Sequence, residues 1–294
     1  MKRESGPTEE LSLPKTGIDG GKVVSRAAEF FLILVVVVGV LGPFYWIISS
    51  SFKPTSELLG WVPTLFPRQF TLDHYKDLLV GTHYLYFLRN STVLAIITVV
   101  LTMLVALSAA YALHRPAFRA KAFLSRAILI SYMFPGILLL IPLYQMMTRL
   151  HLINTLLGLA LVMVAFTTPM STWLLASFFR YVPYEVEESA LMDGASRIHV
   201  LTKVILPVLK PGLAAVAIYV FIVSWGEYMF ASVFINNETL KTLPVGLSAL
   251  MDQYRLDWGL MAAGATAIAV PVIILFALMG RRFVEGLISG AVKG

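Results

Sequence analysis

Six stretches of the chain stay apolar for about 20 residues at a time: 30–50, 91–113, 123–147, 156–179, 213–234 and 260–280. Each is long enough to cross the roughly 30 Å hydrocarbon core of a bilayer as a helix, which satisfies its backbone polar groups within the segment. The links between them are unequal. The longest, 53–89, carries Pro54, Pro63 and Pro67 among aromatic residues, and is expected to pack on one end of the membrane domain. The most charged, 183–212, reads PYEVEESALMDGASRIHVLTKVILPVLKPG. This pattern predicts an all-α integral membrane protein of six transmembrane helices. Composition agrees: of 294 residues 58% are hydrophobic and only 14% charged, against about a quarter in soluble domains, and the mean hydropathy is +0.79.

The first stretch is preceded by basic residues, as a signal peptide would be. Its charge-free run from Phe30 to Phe52 exceeds the apolar core of such a peptide and no A-x-A site follows, so it is expected to be retained. Residues 1–26 form a polar tail expected to be disordered, and 27–294 the transmembrane domain. With six spans both termini lie on one side. Sixteen of the 23 Lys and Arg residues fall in the tail, the second-to-third link, the charged link and the C-terminal end, so the positive-inside rule puts both termini and the charged link in the cytoplasm.

The remaining composition narrows the chemistry. The absence of cysteine excludes disulfides, thiolate metal sites and a Cys nucleophile, and the five histidines are too scattered to form HExxH. No GxSxG is present, so a membrane-embedded enzyme has no visible nucleophile. The net charge of +6 is spread over the flanks of the spans and is not interleaved with aromatics in one patch, which argues against nucleic acid. The stretch GIDGGKV lacks the first glycine and the Ser or Thr of a Walker loop, having Thr16 and Val23 there, so the chain is not expected to hydrolyse ATP by that motif.

In the charged link, Glu185, Glu188 and Met192 share one helical face and Val186 and Ala190 another. Gly194 suits the turn between two short helices, the second predicted over 196–204, before Pro207 leads back to the membrane. From the residues alone, the link is either a solvated amphipathic connector or a shaped knob offered to a cytoplasmic partner. The order of residues resembles the EAA loop of ATP-binding cassette importer permeases: E-A-A, three residues, G, nine residues, I-x-L-P. Glu188, Ala190, Gly194, Leu206 and Pro207 match in type and spacing, Ser189 replaces an Ala and Val204 the Ile. Further matches, PFYWIISSSFKP, TLDHY, RNST, MFPGILLLIPLY, SWGEYMFA and GLISGAVKG, look like the MalG-type branch, which imports carbohydrates.

The resemblance implies the MalG-type, MetI-like permease fold, with a different MalF-like chain as second permease subunit. It further implies two ATP-binding cassette ATPase subunits that bind the ATP and Mg, an extracytoplasmic solute-binding protein, and a sugar substrate. The location implied is a bacterial or archaeal cytoplasmic (inner) membrane. No cofactor or metal is expected on this chain. Glu187, Glu188, Ser189, Ala190, Asp193, Gly194, Ala195, Leu206 and Pro207 would form the ATPase-coupling loop, with Glu188 holding it by capping backbone N–H groups or pairing with a basic side chain.

Four residues are candidates for the translocation path. Glu227 falls inside the fifth stretch, where a charge costs about 2.5 to 3.5 kcal/mol and is not expected to face lipid; lining the path, meeting a sugar hydroxyl and pairing between helices are all open to it. Trp225 and Tyr228 either stack on a sugar or belong to an interfacial belt. Asn90 either binds sugar or caps a helix starting at Ser91. Pro135, Pro142, Pro169 and Pro271 are expected to kink spans three, four and six. Two alternatives remain: a permease for another solute class such as polyamine or phosphate, and a proton-coupled secondary transporter using Glu227.

Overall fold

The computed structural model describes residues 20–115, 119–253 and 257–291, and every element among them is helical. In chain order these are α1 (Gly20–Ser50), α2 (Thr55–Leu58), α3 (Asp73–Val80), α4 (Tyr84–His114), α5 (Lys121–Met133), α6 (Gly136–Arg149), α7 (Leu156–Phe179) and α8 (Tyr184–Met192). A composite helix follows: α9 (Arg197–His199), a π-helical turn (Val200–Ile205) and α10 (Leu206–Val208). Then come α11 (Lys210–Trp225), α12 (Met229–Phe234), a 3-10 turn (Glu238–Leu240), α13 (Leu243–Gln253) and α14 (Trp258–Ala291). Four helices are each long and apolar enough to cross a membrane; counting two bent pairs as one span each gives six. Most of the expected polar tail, 1–19, lies outside the described residues.

The chain divides into two units, 1–46 and 47–294. The described part of the first is most of α1, with Phe30, Phe31 and the aliphatic residues to Val38 all exposed, as in a helix solvated by lipid. The second unit is built around α4. At one end of α4, Tyr84, Phe87 and Ala95 pack with Leu78, Trp225, Leu243, Leu250 and Leu260. In its middle Leu94 joins Met147, Leu159, Met163, Phe230 and Phe234. At the other end Ala106 and Ala110 pack with Leu175, Phe178, Phe179, Val200, Ile205, Leu209, Val216 and Val220. Small side chains let the helices close up: a Cβ on Gly212 of α11 would lie 2.6 Å from the Phe178 ring of α7. Between α4 and α7 the fully buried Thr102 and Thr167 hydroxyls share a 2.8 Å hydrogen bond.

The 53–89 link is structured rather than loose. The Lys53 ammonium donates to the Thr64 carbonyl at 2.5 Å, the Thr64 hydroxyl donates to Glu57, and the buried His74 ring hydrogen-bonds the Lys53 carbonyl at 2.8 Å. The His74 ring occupies the space a side chain at Gly259 would need, which seats α3 on the start of α14.

Three expectations change. The third stretch is not one rod: α5 and α6 meet at 101° across Phe134 and Pro135. Pro135 has no N–H to continue α5 and forces Phe134 into extended backbone (φ −73°, ψ 123°). Pro142, Pro169 and Pro271, by contrast, sit within helices that continue past them. The fifth stretch ends as a helix at Trp225, so Glu227 lies in a break, and at its other end α11 meets the composite helix at 80°. The second stretch starts as a helix at Tyr84, which makes Asn90 an interior residue and not the cap of a helix beginning at Ser91.

Candidate functional site

The charged link forms a helix, a tight turn and a second helix, and its spacing has a local cause. Pro183 precedes α8, and Glu185 and Glu187 lie in its first turn, where carboxylates offset the positive end of the helix dipole. At the other end the Ala195 N–H donates to the Ala190 carbonyl at 3.1 Å and the Gly194 N–H to the Leu191 carbonyl at 3.0 Å. That pair of bonds is a Schellman cap, and its turning residue needs a left-handed backbone; Gly194 supplies φ +90°. The Ser196 hydroxyl then accepts from the His199 N–H at 3.2 Å and starts the second helix, which runs to Val208 and so extends beyond the expected 204. Four residues from Ala190 to Gly194 are what the cap requires.

The two helices present different faces. Inward, Val200, Ile205 and Leu209 are fully buried among α4, α7 and α11, with Ala190, Leu191, Ala195 and Val204 packed against them. Outward, Glu188, Ser189, Asp193 and Gly194 are exposed, flanked by Met192 at 87% and Ile198 at 76% exposure. A Cβ at Gly194 would meet no described atom within 4 Å. Leu206 is half-buried and Pro207 exposed at the start of α10.

One contact ties the link to a span. Glu187 is 1% exposed, and the Arg115 guanidinium, on the residue that follows α4, donates both to its carboxylate and to the Tyr111 hydroxyl. Tyr111, in the last turn of α4, itself donates to Glu187 at 2.9 Å. The guanidinium lies over the Tyr111 ring at 4.4 Å and near the Tyr184 ring at 5.6 Å. The carboxylate that pairs with a basic side chain is therefore Glu187, while its neighbour Glu188, expected to cap backbone N–H groups or to pair with a basic side chain, is exposed. Arg115, Tyr111 and Gly212 were not singled out by sequence. Arg115 enters the sequence reading only through orientation, and its one signal is that it follows the apolar run ending at Leu113 by two positions.

The path candidates are dispersed. Asn90 is fully buried, and its amide donates to the carbonyls of Thr239 at 2.8 Å and Lys241 at 2.9 Å; beside it the Ser91 hydroxyl accepts from the Leu243 N–H at 2.8 Å. Together they pin the α12 to α13 connection onto α4. Trp225 is 3% exposed, stacked on Phe221 at 5.2 Å, with its indole N–H donating to the Ile268 carbonyl at 3.1 Å; it is a core residue, in neither a sugar-stacking position nor an interfacial belt. Glu227 accepts from the Phe230 N–H at 2.5 Å and so caps α12. Tyr228 is about half exposed and its hydroxyl lies 3.3 Å from that of Ser248. Among the described residues no group of three or more His, Asp or Glu side chains could hold a metal ion.

Known proteins are similar to this chain in sequence and in fold. The inner membrane ABC transporter permease protein YcjP of Escherichia coli is 35% identical over 275 residues, covering 93% of this chain and 98% of its own length. The trehalose transport system permease protein SugB of Mycobacterium tuberculosis is 36% identical over 274 residues, covering 92% and 99%. A bacterial ABC transporter involved in the import of the acidic polysaccharide alginate has the same fold, with a TM-score of 0.80 at 22% identity over 92% of this chain and 100% of that one. A family profile matches residues 103–283, from the middle of α4 through the charged link and into α14. The chain belongs to the family of binding-protein-dependent transport system inner membrane components.

Proposed function

We propose that this chain is the transmembrane permease subunit of an ATP-driven sugar importer, forming half of the translocation path and coupled to a cytoplasmic ATPase through residues 183–212. The sugar reading is supported by the relatives' names, among them SugB and the trehalose/maltose transport system permease protein MalG of Thermococcus litoralis, 34% identical over 257 residues. The partners follow from the reading: a second, different permease chain, two ATPase subunits that carry ATP and Mg, and an extracytoplasmic solute-binding protein. Six spans, with both termini and the charged link in the cytoplasm, complete it.

The observation that carries the coupling role is the two-faced link. Its inner face is locked to α4, α7 and α11 by buried side chains and an ion pair, so a push on the outer face moves spans instead of bending a loop. The outer face offers Met192 and Ile198 around Gly194, a small apolar knob of the kind a groove on another protein covers. Gly194→Glu tests it. The substitution forces a side chain into a left-handed backbone, at about 1 to 2 kcal/mol, and places it on the open side of the turn. The chain purified in mild detergent should bring a second permease and an ATPase with it, show sugar-stimulated ATPase activity in liposomes, and lose both docking and stimulation in the variant. Uptake that follows a proton gradient and ignores ATP would overturn the proposal.

A further inference from the structure

Near the end of the bundle that carries the charged link, the ends of α4, α5 and α7 surround a cavity of about 340 Å³. His114, Lys121, Ser125, Ser177 and Arg180 line it, with Trp173 at one side, and no carboxylate among the described residues does. One of the basic residues has an ordinary explanation: Arg180 follows α7, where a cation complements the negative end of the helix dipole. Lys121 has none. It is the first residue of α5, a helix with no acidic residue in its first turn and no side-chain cap, so its charge adds to the positive end of that dipole. An anion in the cavity relieves both. Ser125, one turn further along the same face of α5, adds a hydroxyl. The His114 ring stands 5.3 Å from that of Phe179, which fixes one wall.

The rest of the wall is apolar: Leu113, Ala176 and the indole of Trp173, itself 49% exposed. We infer that this cavity binds the phosphate of an anionic phospholipid, held by Lys121, Arg180 and the N-terminus of α5, with the glycerol and first methylenes against Leu113 and Trp173. A basic recess between the ends of spans is the geometry in which such headgroups are retained. The proposed orientation decides only that the lipid comes from the cytoplasmic leaflet; the site itself does not depend on it.

The test is native mass spectrometry of the full chain, purified from membranes with whatever accompanies it, after exchange into phosphatidylglycerol or phosphatidylcholine. Phosphatidylglycerol should remain bound and phosphatidylcholine should not. The double substitution Lys121→Gln with Arg180→Gln, both at exposed positions, should weaken retention about thirtyfold with the melting temperature unchanged. Single substitutions should each give part of that loss. Excess inorganic phosphate should fail to displace the lipid; displacement would show a free-anion site and overturn the assignment, as would equal retention of phosphatidylglycerol by the double variant. The readout involves neither sugar nor ATP, so it fails or succeeds independently of the transport function.

Discussion

The pair that joins α8 to α4 allows a quantitative prediction. Glu187 is buried at 1% exposure, and Arg115, at 17%, together with Tyr111 supplies its counter-charge and hydrogen bonds. Replacing Arg115 by Ala leaves a carboxylate inside the protein with one hydroxyl as partner. Breaking a buried pair from one side costs about 3 to 5 kcal/mol, and the partial exposure of Arg115 lets water reach the gap, which favours the lower figure. A protein of this size loses on the order of 2 to 4 °C of melting temperature per kcal/mol, so a fall of about 6 to 12 °C is expected. Glu187→Gln keeps an oxygen that both partners can bond and should lose about half as much. Arg115→Met with Glu187→Met removes both charges and should recover most of the stability, because the worth of a buried pair over an apolar one is small.

The same three proteins separate stability from coupling. Neither Arg115 nor Glu187 lies on the outer face, so the ATPase should still co-purify with the double variant, while sugar-stimulated hydrolysis in liposomes should drop. Melting curves at one fixed scan rate and a liposome ATPase assay are sufficient. Single variants that melt within a degree or two of the parent, or a double variant no more stable than the worse single, would refute the argument.

Gly212→Leu drives a side chain into the Phe178 ring and should cost about 1 to 3 kcal/mol, seen as a lower melting temperature of the purified chain. Trp225→Phe keeps the stack on Phe221 and loses only the hydrogen bond to Ile268, so it should cost about 1 kcal/mol and leave the sugar concentration for half-maximal uptake unchanged. The hydrogen bond from Thr64, then the backbone N–H of Arg68, holds the Glu57 carboxyl below its ordinary value of 4.5. A carboxyl with a depressed folded-state pKa stabilises its loop above that value and stops doing so as pH falls through the lowered one. Amide exchange at Arg68, corrected for its intrinsic pH dependence, should therefore be slow at neutral pH and accelerate only in acid.

Where sequence and structure agree, a local cause is visible in the residues. The spacing of Ala190, Gly194 and Ala195 is a helix cap, and a cap is a short-range object. The spans of α4 and α7 follow from apolar length alone. Where they part, the deciding partner is distant or the angular difference is small. Asn90 is satisfied by carbonyls 149 and 151 positions away, which nothing near RNST announces. Glu187 and Glu188 are 100° apart on one helix, and choosing which turns inward requires the positions of Arg115 and Tyr111. Pro135 was legible as a breaker but the angle was not, since three other prolines in apolar runs leave their helices continuous.

The elbow between α5 and α6 also bears on solvation. With 13 and 14 residues the two arms are about 20 and 21 Å long, so neither alone traverses the hydrocarbon, and as one broken span the pair would place its junction at depth. There the terminal carbonyls of one arm and the leading amides of the other lack donors and acceptors, respectively, within their own helices. Acyl chains offer none. A Cβ on Gly136 would lie 3.4 Å from the Phe166 ring of α7 and from Met229 of α12, so the chain itself covers that side of the elbow, while the side bearing the exposed Phe134 must meet another protein surface or a hydrated crevice.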